Sequence, residues 1–398
     1  MKALGFALRL VVVMLCLASC GGGSTDVASY PGSGGTGVDP GSGGTGNVAS
    51  VGSVDGFGSV IVNGVTYDNS ATTNSLDPAS PTLAMGMVVR ISGSLNSQTT
   101  GVAQTLSAGV ELMDTVTSTN PAGGTLVVAG LTVRVGTATV FDGVADLSAL
   151  SAADPVFVYG VPEGSGLLAT RIEKRASLPR FQTTGAIQSI DTLAQTFQLG
   201  GLTVNYGGAT YLGSLTAAGL ANGVIVQVRA PSAPGAGPFN AQQLQLWQPA
   251  SPQTGGNVHL RGAVSDFSTL ASFRVLGIPV KADGNGVQFV GSSASIGNGS
   301  ELQVKGHWLN NVLVAQKVTI YTGAGGAPVT YSLRGPLSQF NVAQQSFSVK
   351  GQKAVYTVPG TTFTNGAVAD LQNGTKVEVL GTQVSNGVLS ATSVTFLP

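Results

Sequence analysis

The sequence predicts an all-β protein: about five small antiparallel β-barrels of the OB or SH3-like kind in tandem, following a disordered glycine-rich tether. Three observations point there. Of 398 residues 58 are glycine, 42% are hydrophobic and only 9% are charged, and Val, Thr, Gly and Ser dominate, which favours strands and turns. Apolar and polar residues alternate with period two, as in Lys376-Val377-Glu378-Val379, the pattern of a strand with one buried and one wet face. A strand-turn-strand motif then returns five times along the chain, and repetition on this scale defines the architecture.

Taken in order, the first twenty residues, MKALGFALRLVVVMLCLASC, carry two early positive charges and then an apolar stretch. The uninterrupted apolar run after Arg9 is shorter than the roughly 20 residues that a spanning helix needs. It therefore reads as a secretory signal. Its end, Leu17-Ala18-Ser19-Cys20, resembles the bacterial lipobox, in which small residues before a cysteine admit the signal peptidase. That resemblance implies lipidation of Cys20 on its thiol and its new amino terminus, a multi-chain anchor strong enough for stable attachment. Cys16 lies inside the removed segment, so the mature chain keeps one cysteine and no intramolecular disulfide. By analogy with Gram-negative lipoprotein sorting, the resemblance implies that Gly21 in place of Asp after the cysteine favours the outer membrane over the inner one.

Residues 21–50 are rich in Gly, Ser and Thr, and PGSGGTG occurs twice, at 31–37 and 40–46. This composition makes a flexible tether. Gly34-Gly35-Thr36-Gly37-Val38-Asp39 matches the start of a calcium-binding nonapeptide, but Gly41 stands where that repeat needs a large apolar residue.

Beyond the tether, the turns are VIV-NG-VTY, LVV-AG-LTV, FQL-GG-LTV, FRV-LG-IPV and FSV-KG-QKA. Their glycines, Gly64, Gly130, Gly201, Gly277 and Gly351, are 66, 71, 76 and 74 residues apart. A second marker, Gly86, Asp154, Gly223, Gly299 and Gly374, follows 22 to 24 residues later and opens an alternating strand. An Ala-led strand closes each unit. Units two to five also place an aromatic residue, Phe141, Tyr211, Phe289 or Phe363, 10 to 12 positions after the turn glycine, where unit one has only the polar run DNSATTNSLD. These spacings delimit units at 51–113, 114–180, 181–249, 258–322 and 330–398. Two-residue turns imply antiparallel hairpins, and closure into barrels removes exposed edges. The stretches QPASPQTGG and GAGGAPV read as linkers between separable units.

GFGSVIVNG near the start, the recurring turn, the later G-x-x-V-x-V-x-G and the lipobox ahead of the tether together resemble domain of unknown function 5666. That is a bacterial envelope family occurring as tandem repeats in lipoproteins. The resemblance covers about residues 51 to 398 and brings no catalytic residues with it.

The search for chemistry is mostly one of exclusion. Gly56-Phe57-Gly58 suggests a phosphate loop, yet a strand and not a helix follows it, so no helix N-terminus awaits a pyrophosphate. His259 and His307 lie apart, without zinc-ligand spacing, and no G-x-S-x-G elbow is present. Asp68, Asp77, Asp142 and Asp146 read as loop and turn residues. His307 and Trp308, in KGHWLNNV, are expected at a hairpin tip and form the one candidate ligand contact. Basic and acidic residues balance at 18 each, so nucleic-acid binding lacks its basic footprint. No catalytic residue, metal or cofactor is implied. The expected role is that of a lipid-anchored, exported, non-enzymatic binding or scaffold module. Its partners are the membrane and an envelope protein or polysaccharide, with a surface adhesin or polysaccharide-binding module as the alternative and an envelope enzyme as a distant one.

Overall fold

The computed structural model describes residues 47–97, 99–231, 233, 237–247, 256–322 and 329–398. Leu17, Ala18, Ser19 and Cys20, the tether up to residue 46 and most of both expected linkers lie outside the described residues. Among the described residues the chain is all β, broken only by four single 3-10 turns at Leu147–Ala149, Ala217–Gly219, Ser293–Ser295 and Val368–Asp370.

Unit one sets the pattern with β1 (Asn47–Phe57), β2 (Val60–Val62), β3 (Val65–Asp68), β4 (Thr73–Leu76), β5 (Val88–Leu95) and β6 (Thr100–Ala108). The first half of β1 pairs with β5 and its second half with β2. From there β2 pairs with β3, β3 and β4 run parallel to β6, and β6 turns back onto β5. The strands thus close a ring. Units two, four and five repeat this circuit, and unit three does so with an interrupted first and last strand. Each ring contains parallel contacts, which the expectation of purely antiparallel barrels missed. β3 and β6 point the same way because the chain crosses the ring between them.

Local chemistry explains the recurring marks. Four of the five hairpins place two successive residues at positive φ, as at Asn63 (57°) and Gly64 (74°), the geometry of a type I′ turn. The glycine ending G-x-x-V-x-V-x-G sits at a bulge between the two long strands in units one, two, four and five. A Cβ on Gly93, Gly160, Gly306 or Gly381 would lie 2.0, 2.1, 2.1 or 2.2 Å from a facing carbonyl oxygen. Unit three carries Ala230 there and pairs without a bulge. In the second marker it is Ala153 (φ 69°), not Asp154, that takes the glycine's place: its N–H bonds Val116 O just as Gly86 N–H bonds Val54 O. Phe141 is buried, and Tyr211, Phe289 and Phe363 pack against their cores.

Two boundaries shift. Asn47–Ser50, expected in the tether, pair with Ile91–Ser94, and unit two begins at Leu112. The larger departure is that the units are not clearly separate barrels. β1 runs parallel to the first strand of unit four, Asn257–Thr269, over Val48–Val51, and to that of unit five, Tyr331–Asn341, at Gly56 and Phe57. The first strands of units two and three, Leu112–Asn120 and Phe181–Ala186, meet at Met113 and Gln182. Among the described residues every strand pairing between units therefore joins first strands. The reason lies in the ring: each half of β1 uses one edge inside its own unit, and the other edge would face water unpaired.

The cores merge accordingly. Met113, Phe157 and Tyr159 of unit two are buried in the core of unit one. Ala49, Val51 and Val88 of unit one join that of unit four, and units two and three share a single core. Each large apolar side chain buried at these seams contributes about 1.5–3 kcal/mol to holding the units together. Unit one sits among all four others.

Candidate functional site

The outer faces of units one and three enclose a cleft of about 470 Å³. Alternation builds its walls. In the strand Ile225–Ala230, Val226 and Val228 point into the core, so Gln227 and Arg229 point outward, toward unit one. Gln245 and Trp247 line the cleft from the closing strand of unit three, and Arg90 comes from β5. A face that a single unit would leave wet becomes the wall of a seam.

The polar groups form a continuous network. Arg229 donates from Nε to Gln182 Oε1 at 2.8 Å and from Nη2 to Gln227 Oε1 at 2.9 Å. Gln245 Nε2 donates to Gln227 Oε1 at 2.6 Å, and Gln227 Nε2 donates to Val110 O and to Thr184 Oγ1, both at 3.3 Å. On the other side Trp247 Nε1 donates to Glu111 Oε2 at 3.0 Å, and Arg90 Nη2 stands 3.6 Å from Glu111 Oε1. The Arg90 guanidinium also lies over the Trp247 ring, 5.4 Å from its centroid, a cation–π contact. Asp77 is buried and paired with Arg180. Burial, and then the nearby Arg180 charge, hold the Arg229 pKa below the usual guanidinium range, although a guanidinium stays protonated.

Chemically, this arrangement orients polar groups and supplies positive charge. The described lining brings the hydroxyls of Ser75, Ser107 and Ser214 and the carboxylates of Asp77 and Glu111, and both carboxylates are already engaged by arginine side chains. Among the described residues no three His, Cys, Asp or Glu side chains gather to hold a metal ion.

A second polar cluster lies at the junction of units one, four and five. Ser53 Oγ donates to Asp55 Oδ1 at 3.0 Å, Arg261 Nε is 3.4 Å from Glu301 Oε1, and Arg261 lies 4.5 Å over the Tyr321 ring. Burial pushes the Asp55 carboxyl up to about 6, against the pull of Arg261. Burial, reinforced by Lys305 and Arg261, pushes buried His259 down to about 3, and neither of its ring nitrogens has a hydrogen-bond partner. Ser53, Asp55, Arg261, Glu301 and Tyr321 are partly buried, and the cluster lies along a seam.

The expected hairpin tip is corrected. Trp308 is only 8% exposed and belongs to the core of unit four. The tip is Asn310-Asn311, with φ of 51° and 61°, because the strand continues through Leu309 and alternation turns Trp308 inward. His307 is half-buried in the same strand. Arg90, Glu111, Gln227, Arg229 and Gln245 escape sequence reasoning because each reads as an ordinary outward-facing polar residue of a strand. Asp77, expected as a loop residue, is in the cleft wall.

The repeat itself matches a described family. The profile Domain of unknown function (DUF5666) matches five times, at residues 45–106, 115–173, 184–237, 261–319 and 334–395. The chain belongs to this family. Its five DUF5666 repeats correspond to the five rings, including unit two, whose marker glycine is replaced. No curated protein matches the chain. The first DUF5666 match begins close to Asn47, where β1 begins, in agreement with the boundary seen in the strand pairing.

Proposed function

We propose that this DUF5666 protein is a lipid-anchored component of the bacterial cell envelope, a non-enzymatic binding or scaffold module whose ligand seat is the cleft between units one and three. One observation carries the binding part: two repeats jointly build a polar cleft whose arginine and glutamine side chains are held by a bonded network. Such a cleft, formed between units and lined by convergent polar groups, has the form of a binding site. The individual units are OB-like, since the order of pairing β1-β2-β3-β6-β5-β1, with β3 parallel to β6, is that of an OB barrel.

The anchor rests on the signal segment and Leu17-Ala18-Ser19-Cys20, and the glycine-rich tether holds the folded body away from the bilayer. Outer-membrane placement rests on Gly21. Metabolic labelling with a fatty acid tests the anchor: wild type takes up label and C20A does not. Equal labelling of the two refutes it. A screen of the detergent-solubilised full chain against glycans and envelope proteins tests the module. Turnover of any screened compound would instead favour an enzyme.

A further inference from the structure

We propose that the cleft between units one and three binds an acidic saccharide residue, whose carboxylate is held by the guanidinium of Arg229. This rests on the binding-module reading and names the chemistry of its ligand. Arginine carries five N–H donors. Among the described residues Arg229 uses two, on Gln182 and Gln227, which leaves three without an acceptor. Both acceptors are neutral amide oxygens, so they fix the plane of the guanidinium without cancelling its charge. The nearby carboxylates are already engaged, Asp77 by Arg180 and Glu111 by Arg90 and Trp247. No carboxylate of the described residues stands at salt-bridge distance from Arg229. The result is a half-buried, pre-oriented cation whose free donors face a cavity, where a carboxylate can accept charge-assisted bonds at little ordering cost.

The rest of the wall specifies what accompanies the carboxylate. Ser75, Ser107 and Ser214 bring hydroxyls, and Gln245 brings an amide oxygen, groups that match the hydroxyls of a sugar. The cleft falls within the roughly 300–1,000 Å³ typical of small-molecule sites and is far larger than an inorganic oxyanion requires. Stacking is not the mode of recognition here: Trp247 is 7% exposed, with Arg90 over its ring and its N–H spent on Glu111. Charge and hydrogen bonds must do the discriminating.

Isothermal titration of the intact chain with glucuronate, glucose and inorganic phosphate, at about 20 mM and about 500 mM salt, tests this. Glucuronate should bind about tenfold or more tightly than glucose, more tightly than phosphate, and more weakly at high salt. R229Q should lower glucuronate affinity by about tenfold or more with an unchanged urea midpoint, while R229K, which keeps the charge but not the planar fork, should recover part of the loss. The R229K arm keeps the test valid if R229Q folds poorly. Equal affinity for glucose and glucuronate, or full affinity in R229Q, overturns the proposal. Phosphate binding as tightly as glucuronate overturns the saccharide assignment. Absence of binding by a folded chain removes the ligand, whereas the anchor reading stands or falls separately on the labelling of Cys20.

Discussion

Substituting Gly56 probes how the units are joined. A Cβ built on Gly56 lies 2.0 Å from the carbonyl oxygen of Ser332 and 2.9 Å from its carbonyl carbon. Both are backbone atoms of unit five, so no side chain can swing aside. Restoring ordinary contact requires β1 and the first strand of unit five to part by about 1 Å or more, enough to break N–H···O bonds whose usual length is about 2.9 Å. The parallel seam there comprises only Gly56 with Ser332 and Phe57 with Leu333, so it has no reserve of further pairs. Losing about two hydrogen bonds at about 1 kcal/mol each, together with looser packing around Leu333, which is fully buried, predicts that G56A costs about 2–4 kcal/mol. Urea unfolding followed by tryptophan fluorescence measures this, and limited proteolysis should find new cleavage at the boundary of unit five. G136A is the control, since a Cβ on Gly136 would meet no atom within 4 Å and its φ is not positive; it should be neutral or slightly stabilising. If G56A lies within about 0.5 kcal/mol of wild type, the close-approach account of this glycine is wrong.

Other outcomes follow from the same geometry. Because Asp55 titrates near 6 in the folded protein against 3.8 as the reference value, the folded state binds this proton more tightly, and the group's contribution to stability falls as pH rises from about 3.8 to about 6. D55N should therefore exceed wild type at pH 7 by up to about 3 kcal/mol, and the difference should vanish near pH 4; a pH-independent difference in urea midpoint would refute this. His259, held down to about 3, acts in the opposite sense: its contribution is lost as pH falls below about 6.5, so D55N should lose stability on acidification more steeply than wild type. G306A should destabilise by about 1–3 kcal/mol through the bulge it crowds, while A230G, at the unbulged counterpart, should change stability by about 1 kcal/mol or less; equal effects would dismiss the bulge as the cause. A fragment spanning residues 256–398 should unfold at lower urea than the whole chain, because Ala49, Val51 and Val88 complete the core of unit four. An unchanged midpoint would restore the picture of independent beads.

Most of the elements are legible in local patterns. Alternation with period two, the hairpin glycines and the Ala-led closing strands place four strands in each unit, because side-chain direction and turn geometry depend on neighbours a few residues apart, whereas the first strand of each unit carries no such mark. Five repeats and their family are legible for the same reason. Asp154 is misassigned by one position, since Ala153 adopts the positive φ without a glycine to advertise it. Gly56 and Gly58, whose spacing suggests a phosphate loop, border unit five instead, with Gly58 facing Arg334. Which free edge of each first strand meets which other, and hence that unit one lies among the rest, is settled by long-range packing. The cleft follows from that choice. Arg90 and Arg229 are 139 positions apart in the chain, and each alone is a polar residue on a wet strand face. They share a cavity because edge pairing and core merging bring two outer faces together, an energetic outcome summed over long-range contacts that local periodicity does not encode.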